Sequence, residues 1–395
     1  MTGSAEHAKP AAGDLAERLA EVAVVLREEA AVIDLHATFP ERGMSAIRKQ
    51  GLLGLLVPAE YGGLGGGLPE LVDAAVVLAG ECLSTALTWA MHCQQVAAIT
   101  RHARPRLRQD LLPRIADGEV YIASVTSEKG KGGHLMTAQA PLRRAGGMLE
   151  IERDAPIVTG GQHADGFLIT MRDDAAAPAS AVSLVYADRA ELTLSAAGSW
   201  NPLGMRGTHS VGLRIEGRVP GHNLVGLPGE FRAVAVTTFA PVGHIAWAAC
   251  WLGAARAALH RVLELLRAPA GRRQFDLRSE LLRTRLARAR LDLDAVAALL
   301  AQCVRDVATA PDLEAVPVQL RLNALKVFAA ERCFAVADLL IEVTGLRHGY
   351  MRDAPLGLER VFRDLRSASL NYANDRLLLA NGALALLDRG VNLAY

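Results

Sequence analysis

Cysteine is scarce and scattered in this 395-residue chain: Cys82, Cys93, Cys250, Cys303 and Cys333 are odd in number, far apart, and mostly set in apolar helical text. That excludes a disulfide framework and a zinc knuckle, and predicts core thiols in a reducing, cytoplasmic compartment with no metal site. An excess of charge of one sign is also missing. With 43 basic against 42 acidic residues the net charge is +1, so no global field draws the chain to nucleic acid or to an anionic membrane, and any anionic ligand must be met locally. The first residues place Glu6, Asp14, Glu17 and Glu21 among alanines, without the basic start and unbroken apolar stretch of a signal peptide, so export is not expected. One charge-free run, 233–255, has the length of a membrane span. Its Thr237, Thr238, Pro241, Gly243 and His244 predict a turn and then a buried helix instead, and no span is expected.

What is present is ordinary globular text, 51% hydrophobic and 22% charged, which rules out a disordered or fibrous chain. Its texture changes twice. From Leu15 to Arg114 apolar positions recur at helical spacing, as in Leu19, Val22, Val25 and Leu26, and the glycine-dense stretch 58–67 breaks the pattern as a loop. From Tyr121 to Val225 short β-type runs such as 121–125, 166–170 and 181–186 alternate with turn residues. From Phe231 onward helical periodicity returns in long segments rich in Leu, Ala and Arg, which suits a helical bundle. The expected units are 1–118, helical; 119–228, β; and 229–395, helical. No internal repeat is visible.

Several motifs in this order resemble the acyl-CoA dehydrogenase family, over about residues 40 to 380. Pro58 to Gly65 is similar to the family's Pro-x-x-Tyr-Gly-Gly-x-Gly loop, and Leu203-Gly204-Met205-Arg206-Gly207-Thr208, followed by Val219-Pro220 and Gly226, to its exit from the β section. Arg272-Arg273-Gln274-Phe275 resembles the Arg-x-Gln-Phe segment that reaches a neighbouring subunit's flavin, and Arg363-Asp364 the Arg-Asp before the active-site segment. The resemblance implies an α+β multidomain chain with an N-terminal helical domain, a central β-barrel-like domain and a C-terminal four-helix bundle. It also implies bound FAD and a homodimer or homotetramer. In register, 127–133 stands where the family has Thr-Glu-Pro-x-x-Gly-Ser, which implies flavin contacts from Ser127, Gly132 and Gly133. Thr159 stands at a flavin hydrogen-bonding position, and Ile157 replaces the family's stacking tryptophan. Arg272 and Phe275 would contact the cofactor of a neighbouring subunit, and Gly345 is a further cofactor-binding position.

The departures bear on the reaction. The family's catalytic glutamate would fall near Tyr372, and its alternative location near 243–246; neither stretch holds a carboxylate. A base must reach the proton with a matched pKa, and the residues on offer are His92, Tyr372, Asp375 and His244. His92 reads equally well as a satisfied core histidine, Asp375 as a helix-surface carboxylate, and Tyr372 as a pocket-shaping phenol, its ordinary pKa being near 10. Three functions are weighed. The first is FAD-dependent oxidation, such as α,β-dehydrogenation, of an acyl thioester on coenzyme A or an acyl carrier protein, with an electron-accepting protein as partner. The second is a monooxygenase of the same fold fed by a flavin reductase, and the third a non-catalytic relative. The first is preferred for its intact 203–208 segment.

Overall fold

The computed structural model of the chain describes residues 12–130 and 134–388. The first helical text forms α1 (Ala12–His36), α2 (Glu41–Lys49), α3 (Leu68–Glu81), α4 (Leu83–His102) and α5 (Pro105–Ala116). Between Leu83 and Thr100 α4 has no charged residue and therefore no face suited to water. It is buried on nearly every side, from Leu83 to Ile99. The glycine-rich loop that precedes α3 turns tightly, and at Gly63 a side chain would collide with the Val57 carbonyl.

The β text forms two four-stranded sheets. One runs β1 (Ile122–Val125), β4 (Gly166–Arg172), β5 (Val182–Asp188), β8 (Leu224–Val225); the other runs β2 (Arg143–Ala145), β3 (Met148–Ala155), β7 (Gly212–Pro220), β6 (Leu192–Ala197). Only β1 and β4 pair in parallel, Ile122 opposite Gly166; the remaining pairs are antiparallel. Alternation divides β4 between two partners. Phe167, Ile169 and Met171 join Leu149, Ile151, Leu213 and Ile215 of the second sheet in one core, while Leu168 joins Leu107, Leu111 and Leu112 of α5 in another. Both faces are covered, so the strand is apolar throughout. On β3 the inward alternation delivers Leu149, Ile151, Arg153 and Ala155, and the arginine in that series needs a buried partner.

The last section opens with α6 (Phe231–Val234), passes through a π-turn at Ala235–Phe239 and continues as α7 (Ala240–Arg267). This 37-residue segment, Phe231–Arg267, is long and apolar enough to cross a membrane, yet 83% of its most apolar window lies inside the protein. It packs on α3 and α4 and on the later helices. These are α8 (Pro269–Gln274), α9 (Glu280–Thr309), α10 (Val316–Gly345), α11 (Leu358–Arg366) and α12 (Asn374–Ala385).

One residue joins the three sections. Arg363, on α11, donates to both carboxylate oxygens of Asp34 on α1 at 2.9 and 2.6 Å, to Glu359, and to the Leu203 carbonyl at the edge of the β section. Beside it the Met205 N–H donates to the buried Asp364 carboxylate. This docking needs glycine at 204, because a Cβ there would fall inside the Arg363 carbonyl. Gly204→Ala is expected to destabilise the chain by about 1–3 kcal/mol through overpacking, measurable as a lowered urea midpoint. An unchanged midpoint would show that the two segments do not approach this closely.

Candidate active site

The three sections meet around a cavity of about 580 Å³. One wall is a row of hydroxyls from the β section: Ser124, Thr126, Ser127, Thr159, Thr208 and Ser210, with Ile157 among them. The opposite wall comes from helices, Leu87, Met91 and Gln94 on α4, Phe239 from the π-turn, and His244 and Trp247 on α7; the segment 366–373 closes a third side. π-Turns often mark functional sites, and here the Phe239 carbonyl is held by the Gln94 amide at 2.6 Å.

The hydroxyl wall is fixed from behind. Ser127 Oγ donates to the Ile157 carbonyl at 2.7 Å and receives the Ile157 N–H at 3.3 Å, tying the end of β1 to the segment after β3. Thr208 donates to the Met205 carbonyl at 2.8 Å, and Ser210 donates to Thr159 Oγ1 at 3.1 Å. Ser210 Oγ also lies 2.8 Å from Thr208 Oγ1, and either oxygen can donate, so the three hydroxyls share one chain of hydrogen bonds that ends at Thr159. Ile157 is 54% exposed, an apolar side chain left uncovered in the cavity wall. Hydroxyl donors beside an apolar surface fit the polar edge and flat face of a flavin ring. When bound, the flavin supplies the two-electron acceptor of the reaction.

Beneath Ser127 lies the partner of the inward Arg153. Its guanidinium meets Glu128 at 2.8 Å with the two side chains 0% and 7% exposed, and its Nη2 donates to the Ser127 carbonyl at 3.0 Å. Glu128 also accepts the N–H groups of Gln139 and Ala140, so it draws both ends of the loop 128–140 together. Burial pulls the Arg153 pKa down and Glu128 opposes it.

The segment 367–373 is pinned from within the bundle. The Lys326 ammonium, on α10, donates to the carbonyls of Ala368 and Tyr372 and to Asn374 Oδ1, at 3.1, 2.9 and 2.8 Å. It also lies 5.6 Å from the Trp251 ring centroid. Burial pushes Lys326 down to about 7, the Glu331 charge opposing. Tyr372 itself sits at φ +53°, an uncommon backbone state for a bulky residue, with its ring 6.2 Å from that of His244. Burial raises its pKa, which keeps the phenol protonated.

Of the residues singled out in the sequence, Ser127, Ile157, Thr159, Tyr372 and His244 line the cavity. Gly132 and Gly133 lie outside the described residues. Arg272 is exposed and Phe275 and Gly345 lie off the cavity; His348 joins the last two segments, with Gln274 at 3.0 Å and the Phe275 ring at 6.2 Å. Two candidate bases are corrected. His92 accepts the Ile122 N–H on Nδ1 at 3.0 Å, so its proton resides on Nε2 and goes to the Leu53 carbonyl, also at 3.0 Å. Both nitrogens are used in joining α4 to β1 and to the 52–54 turn, and none faces the cavity. Asp375 is exposed in the first turn of α12, where a carboxylate favours the helix dipole, and does not line the cavity. Among the residues lining it there is no Asp or Glu, while Arg363, Arg366 and Arg376 contribute cationic groups. His244 remains: burial, then the Lys326 charge, lowers its pKa to about 3, and the Leu322 carbonyl partly opposes this.

A helical section, paired β sheets and a helical bundle meeting at a hydroxyl-walled cavity define a flavin oxidoreductase. The acyl-CoA dehydrogenase N-terminal domain matches residues 13–119 and the acyl-CoA dehydrogenase C-terminal domain residues 233–371; the chain belongs to the acyl-CoA dehydrogenase family. It is 26% identical over 348 residues to cyclohex-1-ene-1-carbonyl-CoA dehydrogenase of Syntrophus aciditrophicus (strain SB), covering 87% of this chain and 82% of that protein. It is 28% identical over 393 residues to the amino sugar nitrososynthase DnmZ of Streptomyces peucetius, covering 94% and 92%. The FMN-bound crystal structure of TdsC from Paenibacillus sp. A11-2 superposes with a TM-score of 0.84 at 20% identity, over 95% of this chain and 98% of that one.

Two outcomes are expected. Glu128→Ala leaves Arg153 charged and buried without its counter-ion, which costs about 3–5 kcal/mol; urea unfolding should show this loss together with a lowered flavin-to-protein absorbance ratio. Burial holds the folded His92 at about 4, below the usual 6.5, so the unfolded chain takes up the proton first. The stability that comes from keeping His92 neutral is therefore present above pH 6.5 and lost as pH falls toward 4. His92→Gln should flatten the fall of Tm with acid in that window, and an unaltered slope would remove His92 as its source.

Proposed function

We propose that this protein is an FAD-dependent oxidoreductase that oxidises an acyl thioester carried on coenzyme A or an acyl carrier protein. What carries the reading is the cavity itself. A hydroxyl wall able to hold a flavin edge faces an apolar wall of Leu87, Met91 and Phe239, with room between them for an acyl unit. The arginines at 366 and 376 suit the phosphates of either carrier. No carboxylate lines the cavity, and His244, held neutral, is the one imidazole among the lining residues. The finer reaction is α,β-dehydrogenation or oxidation of a hydroxyacyl unit. The neutral, weakly basic imidazole suits a proton held on oxygen or nitrogen better than one held on carbon. Electrons leave to a partner protein. The surface cluster around Phe275 and His348 meets a second copy, in a cytoplasmic homodimer or homotetramer.

Two observations favour a second reading. The absence of Asp and Glu from the cavity lining suits a monooxygenase that uses reduced flavin and oxygen, and the similarity to the nitrososynthase spans nearly the whole chain. A single pair of assays separates the two. Anaerobic bleaching of the bound flavin by acyl thioesters is expected under the first reading. Absence of bleaching with a broad thioester panel, together with oxygen uptake that requires a flavin reductase, would replace it by the second.

A further inference from the structure

Two histidines stand behind the hydroxyl wall, and neither takes part in the oxidation proposed above. Thr208 and Ser210 line the cavity while His209, between them, does not. It sits at φ +43°, a left-handed state that a residue other than glycine keeps only where its surroundings enforce it. His163 follows Thr159 by four residues and ends the short turn Gly161–His163. The two segments are joined along the backbone, by the Gly160 N–H to the Thr208 carbonyl at 2.9 Å and the Val158 N–H to the Val211 carbonyl at 3.3 Å. They are joined again by the two imidazoles, which meet edge to face with ring centroids 5.3 Å apart. His163 in turn stacks flat on Phe39 at 4.2 Å. Both imidazoles are half-buried, so water can deliver protons to them.

The charges around the pair are unequal. Glu41, in the first turn of α2, lies 3.7 Å from His163 Nδ1 with its side chain 77% exposed, and Arg189, which donates to the Ala164 carbonyl at 3.2 Å, acts against it. Asp165 is held by Arg48; Asp34, on the helix α1 that packs on the 206–208 turn, is held by Arg363. Helix α4, which also packs on that turn, has no charged residue between Leu83 and Thr100. The Tyr121 phenol donates to the Thr159 carbonyl, and burial raises its pKa, so it stays protonated. Burial first, then the His209 charge, lowers the pKa of His163, with Glu41 opposing; burial alone lowers that of His209. One proton, on His163, thus has a carboxylate to accompany it. A second, on His209, would meet a like charge where screening is poor.

We propose that His163 and His209 are positioning residues: uncharged, the pair holds the Thr159 segment in register with Thr208 and Ser210, and its protonation forces the two segments apart and releases the flavin. This rests on the flavin lying against the hydroxyl wall and not on the identity of the substrate. Both groups have their pKa lowered from 6.5 in the folded protein, so the registered wall is favoured above pH 6.5 and lost as the pH falls below it.

The test is the FAD affinity of the protein between pH 8 and pH 5.5, read by equilibrium dialysis without turnover, with circular dichroism at each pH to confirm the fold. FAD keeps the same charge across this range, so any change comes from the protein. Wild-type affinity should fall about ten-fold, the factor that one unit of pKa difference provides. His163→Gln and His209→Asn, the latter able to adopt the left-handed backbone, should each cut the loss to less than three-fold, whatever they do to affinity at pH 8. A merely structural role would instead weaken binding equally at every pH. Glu41→Lys, at an exposed site, should deepen the loss. An affinity independent of pH, or a loss that persists in both histidine variants, overturns the proposal; should neither variant fold, a loss that Glu41→Lys leaves unmoved does so. Thr159→Val should weaken FAD binding at both ends of the range. An unaltered affinity would take the flavin off this wall and overturn the proposal by that separate route.

Discussion

The cavity exists because a single ammonium group is held where no water reaches it. Lys326 projects from α10 into the bundle and spends its three protons on the carbonyls of Ala368 and Tyr372 and on Asn374 Oδ1. Taking a charge out of water is costly, and the cost is offset only when every donor finds an acceptor. Here the acceptors lie at both ends of one short segment, so the ion cannot be satisfied unless 368–374 folds back over α10. That requirement bends the chain at Tyr372 into its positive-φ state and turns the segment into the third wall of the cavity. The strain at Tyr372 and the buried charge are thus two sides of one constraint.

The other two walls depend on the segment just before it. Arg363 and Asp364 end the same short helix, and they bind Asp34, Leu203 and Met205. Helix α1, the β section and the bundle are therefore registered against one another within a few residues of the pinned loop. Burial raises the Asp364 pKa to about 7, the Met205 N–H opposing, so this carboxylate serves docking under a large desolvation load. The hydroxyl row from Thr208 to Thr159 begins one turn away from Met205. A shift of the docking contact would move the hydroxyl wall relative to His244 and Trp247, which face it from α7.

These couplings explain which features could be read from the sequence. The change from helical to β text and back is a matter of local periodicity, and it corresponds to α1–α5, β1–β8 and α6–α12. Ser127, Ile157 and Thr159 were singled out from short contiguous motifs, and all three line the cavity. Residues whose role depends on packing were not legible in this way. His92 sits on a helix facing the right region, and nothing in its neighbours reveals that Leu53 and the Ile122 N–H already occupy both nitrogens. Asp375 lies three residues from Tyr372, but the helix that starts at Asn374 turns it outward. Lys326 appears in the sequence as one cation among the arginines of α10, and Trp247 as one more apolar residue of a buried helix; only the fold shows that the first supports a loop and the second ends in a cavity.

The position of Lys326 also bears on the absence of a carboxylate from the cavity lining. It lies close enough to His244 to depress that residue's pKa, and it contacts the main chain of Tyr372 directly. A carboxylate at either position would face this ammonium across a medium that screens poorly, and would be held ionised and weakly basic. An imidazole responds in the opposite way, because the same cation keeps it neutral with its lone pair available. The electrostatics of the bundle interior thus agree with the residues present: a neutral imidazole at 244, a protonated phenol at 372, and cations at the cavity wall.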